Sequence, residues 1–322
     1  MQIANRESTS TVAGPRAIQE RETEVLYLLG RPPLHEDLGY LMSQTSAGEQ
    51  TDVRDIAESW RAANDVVIRL QTEEAGVVEN PPLLDLPAEM CGPRDRLLRN
   101  DAFQRTLAVI PLDVKMVELD RLIVPQKYLD LLRVRQLREE IETLRDPRAL
   151  FDFCMPLDRP REAVRWIRTS SDSFVFASPS HDLRYLDVAV FDPQRFANPS
   201  VSGLVAETIG LMVGYSVNCV AAMHAQNRLI LVNGTHRAAA MRQAGFTHAP
   251  CVIQKITRPE ERMLVGAREV NRNPAEFLAI PRPMMLKDFF DMRLCRQFRM
   301  PRRMRQVKVS FSVESFDAPV VD

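Results

Sequence analysis

No Cys-x-x-Cys pair and no His-x-x-x-His spacing occurs anywhere in this chain of 322 residues. Its five cysteines, Cys91, Cys154, Cys219, Cys251 and Cys295, stand far apart, so neither a zinc site nor a disulfide framework is expected. An excess of one charge is also missing. Against 42 Lys and Arg there are 43 Asp and Glu, a net charge of -1, and no global field draws the chain toward nucleic acid or membrane. The opening residues, MQIANRESTSTVAGPRAIQERETE, carry no apolar leader core, and their acidic residues are foreign to transit peptides; a cytoplasmic location is the expectation. There is no internal repeat and no low-complexity tract. One uncharged stretch, residues 208–227 (TIGLMVGYSVNCVAAMHAQN), has about the length of a membrane helix. Asn218, His224, Gln226 and Asn227, with Gly210 and Gly214, favour instead a short buried helix followed by a buried strand. What is present is ordinary for a folded protein: 45% hydrophobic and 26% charged residues, enough for a core and long enough for two domains or one with additions.

The texture changes along the chain. Residues 1–20 are polar and rich in Ser and Thr, a tail expected to fray. Residues 21–108 read as a helical N-terminal region: VLYLL, then EDLGYLM, then residues 52–74, where Val53, Ile56, Ala57, Trp60, Ala63, Val67 and Leu70 form one apolar stripe at helical spacing. Prolines punctuate residues 81–94, a linker or extended loop. Residues 109–257 mix strands and helices. Strands are expected within 107–124, at 174–176, 185–191, 216–223, 229–232 and 250–256. Helices are expected at 130–144, 162–168, 204–211 and 235–244. This mixture predicts an α+β domain. In the extension at 258–322, residues 260–271 read as helical and VKVSFSV alternates like an edge strand.

Within the central region, LILVNGTHRAAAMRQAG (residues 229–245) carries the most specific chemistry. An apolar run delivers the chain to a bend at Gly234, where a Cβ would obstruct the turn. Thr235 fits an N-cap and Gly245 fits the residue past a helix end. A helix start of this kind offers unpaired N–H groups and the positive end of a dipole to phosphate or carboxylate. Arg237 adds a fork-shaped cation, and His236 can donate to an oxyanion or pass a proton. The same residues also suit a plain structural turn with a solvated arginine.

The pattern in LVNGTHRAAAMRQAGFTHAPCVI resembles the signature of the ParB/sulfiredoxin superfamily: a strand, G-x-x-R at a helix start, small residues, a glycine, then a proline leading into another strand. It is strongest over residues 217–256 and extends back to LDRLIV at 119–124, similar to the strand that opens such domains. The resemblance implies a central mixed sheet with a helical N-terminal region and a basic C-terminal extension. It further implies nucleotide phosphates, of ATP or CTP with Mg²⁺, bound at Gly234, Thr235, His236 and Arg237, with His236 and Arg237 as the candidate catalytic groups. Thr235 stands where sulfiredoxins carry their cysteine nucleophile, and Cys219 lies on another predicted strand, so sulfinic acid repair is not implied. Partition proteins have G-E-R-R at this turn, of which Gly234 and Arg237 remain. Prolines at 259, 274, 281, 283 and 301 interrupt the place of their helix-turn-helix domain. Glu118, Glu139 and Glu140 are the bases a serine kinase would call on, nominated by residue type alone.

Outside the motif, Asp182, Asp187 and Asp192 suit either magnesium contacts or turn caps, and His181 beside Asp182 suits a proton shuttle. His224 and His248 read as structural or exposed. Residues 282–308 hold nine basic residues against Asp288 and Asp291, a local charge of +7. Arg293, Arg296, Arg299, Arg302, Arg303 and Arg305, with Phe289, Phe290 and Phe298, could grip and stack on nucleic acid; the same phenylalanines could equally anchor the extension to the core. Three functions are therefore expected: a nucleotide-binding protein that hydrolyses or transfers phosphate alongside a macromolecular partner; a non-catalytic adaptor for protein, through the N-terminal helices, or for nucleic acid; or a metal-dependent nuclease.

Overall fold

The computed structural model describes residues 22–44, 52–144, 146–157, 162–180, 182–192 and 205–317. The expected tail at 1–20, His181 and the first residue of the expected 204–211 helix lie outside them. Strand β1 (Glu22–Leu28) opens the described chain where VLYLL predicted a helix. Val25 and Tyr27 pack with α1 (Leu34–Gln44) and α2 (Val53–Glu73), while Leu26 and Leu28 enter the main core. A strand covered on both faces reads as an unbroken apolar run, which periodicity cannot tell from a buried helix. Most of the α2 stripe behaves as its spacing predicts: Ile56, Ala57, Trp60, Ala63 and Val67 are buried and Leu70 half-buried, but Val53 in the first turn is exposed, and the Asp52 carboxylate accepts from the Arg54 N–H at 2.9 Å to cap the helix.

The proline-punctuated segment then carries β2 (Leu83–Leu84) and enters α3 (Ala88–Arg99), followed by α4 (Asp101–Leu107). Next come β3 (Leu112–Glu118), β4 (Tyr128–Asp130), α5 (Leu131–Thr143) and α6 (Pro147–Cys154). In α5 the buried face is Val134, Leu137 and Ile141, while Leu132 is exposed. Strands β5 (Arg165–Ser170), β6 (Ser173–Ser178), β7 (Leu183–Phe191) and β8 (Thr208–Tyr215) follow. Two of these replace expected helices. Residues 165–170 pair with β6, and residues 208–215 pair with β7 from Leu183↔Tyr215 to Phe191↔Thr208. In β8, Gly210 leaves room for the Phe191 ring, which a Cβ there would strike, so the glycine serves strand packing rather than helix flexibility.

The chain closes its central sheet with β9 (Ala221–Ala225), β10 (Arg228–Asn233), α7 (Thr235–Gln243) and β11 (His248–Lys255). The sheet order is β10-β9-β11-β3-β2, with β9 and β11 parallel and the other neighbours antiparallel. Ala238, Ala239 and Ala240 are fully buried, and their small side chains let α7 lie close to α5. Beyond the sheet are α8 (Pro259–Val265), α9 (Arg268–Arg272), α10 (Pro274–Leu278), β12 (Cys295–Pro301) and β13 (Arg305–Ser310). Strand β1 lies between β12 and β4, pairing Val25 with both Phe298 and Asp130. One three-stranded sheet thus joins segments from the two ends and the middle of the chain. A second has the order β13-β6-β5, with β13 at the edge that its alternation predicts, and β7 and β8 form a separate ribbon. The result is a mixed α+β fold with several sheets. Among the described residues no helix is long and apolar enough to cross a membrane.

Candidate functional site at the start of α7

Strand β10 buries Leu229, Ile230 and Leu231 and loses regular register between Leu231 and Asn233. Gly234 then takes the left-handed conformation, φ 92°, ψ 18°. A Cβ on it would sit 2.9 Å from the Val220 Cα, so the residue answers both to conformation and to close approach. Its carbonyl accepts the first helical rung, from the Ala238 N–H at 2.9 Å, and its own N–H donates to Asn233 Oδ1 at 2.9 Å. Gly234 is therefore the N-cap. Thr235, expected in that role, is the first helical residue and is buried, because the left-handed bend starts the helix one residue early. At the other end the Gly245 N–H donates to the Arg242 carbonyl and the Phe246 N–H to that of Met241, both at 3.0 Å. With φ of 91° at Gly245 this is the glycine-terminated helix end that the sequence predicts.

The two side chains expected to meet phosphate face other groups. His236 Nε2 accepts from the Asp130 N–H at 3.0 Å, which ties the first turn of α7 to the end of β4 and requires the ring proton on Nδ1. Arg237 is 6% exposed. Its guanidinium donates to the Cys154 carbonyl at 3.0 Å, to the Phe153 carbonyl at 3.4 Å and to Asn218 Oδ1. Those carbonyls belong to the last turn of α6, where the negative dipole end favours a cation. Asn218 Oδ1 also accepts from Asn233 Nδ2 at 3.1 Å, and Asn218 Nδ2 donates to Asp182. Arg237, Asn218, Asn233 and Asp182 thus form one polar network behind the turn.

A cavity of about 680 Å³ opens beside the turn. Thr235 lines it, together with Lys127, Tyr128, Asp37, Tyr40 and Glu269; Gly234, His236 and Arg237 are not among its lining residues. Four separate segments build the walls, so most of these residues had no sequence signal beyond composition. The LDRLIV stretch, expected as the strand that opens the domain, is instead a 3-10 turn at Leu119–Arg121 followed by isolated bridges at Ile123, and the cavity-lining PQKY segment comes directly after it. Asp37 is buried and accepts from the Tyr27 hydroxyl at 2.9 Å, Trp60 Nε1 at 3.0 Å and Lys127 Nζ at 2.9 Å. Burial, reinforced by the Asp37 carboxylate, pushes the Tyr27 phenol far above its ordinary value. Burial, then the Glu269 charge, raises that of Tyr128. Arg272, paired with Glu36 at 3.3 Å, stands at the exposed rim.

The remaining candidates are dispersed. Asp187 accepts from the following Val188 N–H at 2.8 Å, a local bond within β7. Among the described residues no three His, Cys, Asp or Glu side chains are grouped to hold a metal ion. Glu118 pairs with Arg121 at 3.8 Å, Cys219 is buried, and the Thr247 hydroxyl and His248 Nδ1 share a hydrogen bond at 2.9 Å. His224 is half-buried, and burial, then Lys255, lowers its pKa.

In the basic extension, Phe289 and Phe298 are buried rather than open for base stacking, and Arg242 covers the Phe290 ring at 4.2 Å. Arg293 pairs with Asp291 at 2.7 Å, and Arg296 with Asp55. Arg305 Nε donates to the Leu183 carbonyl at 3.3 Å, while Arg302 and Arg303 are exposed. Arg282, counted in the same basic run, is buried against Asp288 and Glu74. Compared with family models, with curated proteins and with solved structures, the chain matches none.

Proposed function

We propose that this protein binds a nucleoside triphosphate, ATP or CTP, in the cavity beside α7, with its phosphates at the helix start, in the manner of the ParB/sulfiredoxin superfamily that its turn resembles. The observation that carries this is the cavity of about 680 Å³ reaching Thr235, the first residue after the left-handed Gly234. The volume suits a nucleotide-sized ligand. The dipole of α7 favours an anion at its start, where Thr235 lines the cavity. Mg²⁺ would accompany the triphosphate and offset part of its charge.

Binding is favoured over hydrolysis or phosphate transfer. His236 holds the Asp130 amide and Arg237 the α6 carbonyls, so both support the turn from behind. Thermal unfolding with ATP, CTP, GTP and ADP, each with Mg²⁺, is the test. A ligand at a hundred times its dissociation constant adds about 2.7 kcal/mol to stability. Thr235→Asp suits a helix start but repels phosphate, and should abolish the shift in a folded protein. No shift with any of the four nucleotides would remove the proposal.

A second reading, an adaptor for a macromolecular partner, has its own supporting observation. The β7–β8 ribbon exposes Val188, Val190, Ile209 and Leu211, between 41% and 69% accessible. Contiguous apolar surface of this kind marks association sites. Pull-down with Val190→Lys and Ile209→Lys as the control separates this role from nucleotide binding, since neither residue lines the cavity.

A further inference from the structure

We infer that Lys127 is the anion-binding cation of the cavity and that Asp37, supplied by the N-terminal segment, is its positioning residue. The identity of the remainder of the ligand rests on the nucleotide proposal; the anion site does not.

Asp37 is 2% exposed yet belongs to a helix that lines the cavity. A buried carboxylate requires both hydrogen bonds and a countercharge. The Tyr27 hydroxyl and Trp60 Nε1 supply neutral donors, one from β1 and one from α2, and Lys127 supplies the charge at 2.9 Å. Three elements thereby fix one carboxylate, and the carboxylate fixes one ammonium. Lys127 is 24% exposed and lines the cavity. An ammonium has three N–H donors, and Asp37 takes one of them. The resulting cation is oriented and open on one side: Asp37 offsets part of its charge, and what Lys127 offers an anion is its remaining N–H donors held in a fixed direction.

The site of that anion follows from the backbone. Lys127 precedes Asp130 by three residues, and the Asp130 N–H is bonded to His236 in the first turn of α7. An extended chain advances about 3.3 Å per residue, so Lys127 and the α7 start flank the same region within about 10 Å. The other cation on the wall, Arg272, is 75% exposed and paired with Glu36. Glu269 and Glu276 also line the cavity, and their charges repel a polyanion. A phosphate chain is thereby directed to the part of the cavity that Lys127 and Thr235 line. This assigns residues 27–40 a purpose: they complete the ligand site rather than merely precede the domain.

The test measures binding of MgATP, MgCTP, inorganic pyrophosphate and the unphosphorylated nucleosides by calorimetry, using the full chain. Lys127→Gln should weaken pyrophosphate and triphosphates about 10- to 100-fold, the effect of losing one charged hydrogen bond, and leave nucleoside affinity unchanged. Lys127→Arg should retain most of the binding. Asp37→Asn, whose single oxygen can still accept from Trp60 while its amide donates to the Tyr27 hydroxyl oxygen in place of holding Lys127, should weaken pyrophosphate severalfold with no change for nucleosides; a general loss of structure would weaken both. If Lys127→Gln alone does not fold, the double variant Asp37→Asn/Lys127→Gln removes the unpaired charge and decides the matter. Unchanged pyrophosphate affinity in either folded variant overturns the inference. Lys127-dependent pyrophosphate binding, with nucleotides bound no better than pyrophosphate, upholds it while the nucleotide proposal fails. A wild-type chain that binds neither pyrophosphate nor nucleotide sinks both.

Discussion

The guanidinium of Arg237 and the carbonyl of Cys154 lie 3.0 Å apart, joining the first turn of α7 to the last turn of α6. The arginine of a G-x-x-R turn is here a structural cap. Removing it should therefore affect folding before it affects any ligand. In Arg237→Ala, the Cys154 carbonyl keeps its bond from the Val220 N–H at 2.8 Å, but Asn218 Oδ1 loses a charged donor and the space of a buried side chain is left. The expected cost is about 3 kcal/mol, measured as a lower urea midpoint at unchanged slope. Unaltered stability with lost nucleotide binding would instead place the side chain on the ligand.

Gly234→Ala tests the bend itself. A left-handed residue with a side chain costs about 1–2 kcal/mol, and the added methyl would press on the Val220 backbone at 2.9 Å. A destabilisation of at least about 2 kcal/mol is expected. Gly245→Ala provides the comparison: φ is similar, 91°, but nothing lies within 4 Å of its Cβ position. Chemical denaturation of the pair should show the larger loss at Gly234, and equal losses would mean that the contact with Val220 carries no weight.

What could be read in the sequence was local. The α2 stripe, the bend at Gly234, the helix end at Gly245 and the edge strand β13 each follow from residues close together in the chain. The misses share one physical cause: pairing with a partner strand, near or far along the chain, overrides local preference. VLYLL is a strand because Phe298 and Asp130 flank Val25. Residues 165–170 and 208–215 are strands because β6 and β7 offer them ladders. The cavity was legible only at Thr235, since Asp37, Lys127 and Glu269 come from distant segments and carry no motif. Equally, nothing in N-G-T-H-R discloses that the arginine is turned toward helix carbonyls.

Thiol chemistry offers a check on the packing. Cys154, Cys219 and Cys251 are buried, and burial pushes the Cys251 thiol far up. Cys295 is only partly covered, but burial, with the Asp288 and Asp291 charges, pushes its pKa up to about 12. At pH 8 its thiolate fraction is then about one in ten thousand. Alkylation of the native chain followed by mass spectrometry should label Cys91 first and Cys295 slowly, with all five modified in denaturant. Rapid labelling of Cys295 would show that β12 does not seat on β1 as described.

The basic extension makes its own prediction about acid. Arg282 is bound by both Asp288 oxygens at 2.5 Å and by Glu74 at 3.0 Å, and Lys287 reaches Glu74 at 2.8 Å. Burial alone would raise the Glu74 pKa, but the Lys287 and Arg282 hydrogen bonds outweigh it and hold the group below its ordinary 4.5. A carboxylate depressed in the folded state binds protons more weakly there than in the unfolded chain. Its stabilising contribution is thus complete above about pH 4.5 and disappears as the pH falls through the lower folded value. Other carboxylates, Asp55 and Asp291 among them, are depressed by their own arginines, so the wild-type profile is a sum. The difference between wild type and Glu74→Gln isolates this one group. The gap in urea midpoint should be constant from pH 7 to about 5.5 and narrow progressively below 4.5, because the protonated glutamic acid and the glutamine are then alike. A gap that persists unchanged to pH 3 would mean that Glu74 acts through packing, and that the arginine of the extension is held by Asp288 alone.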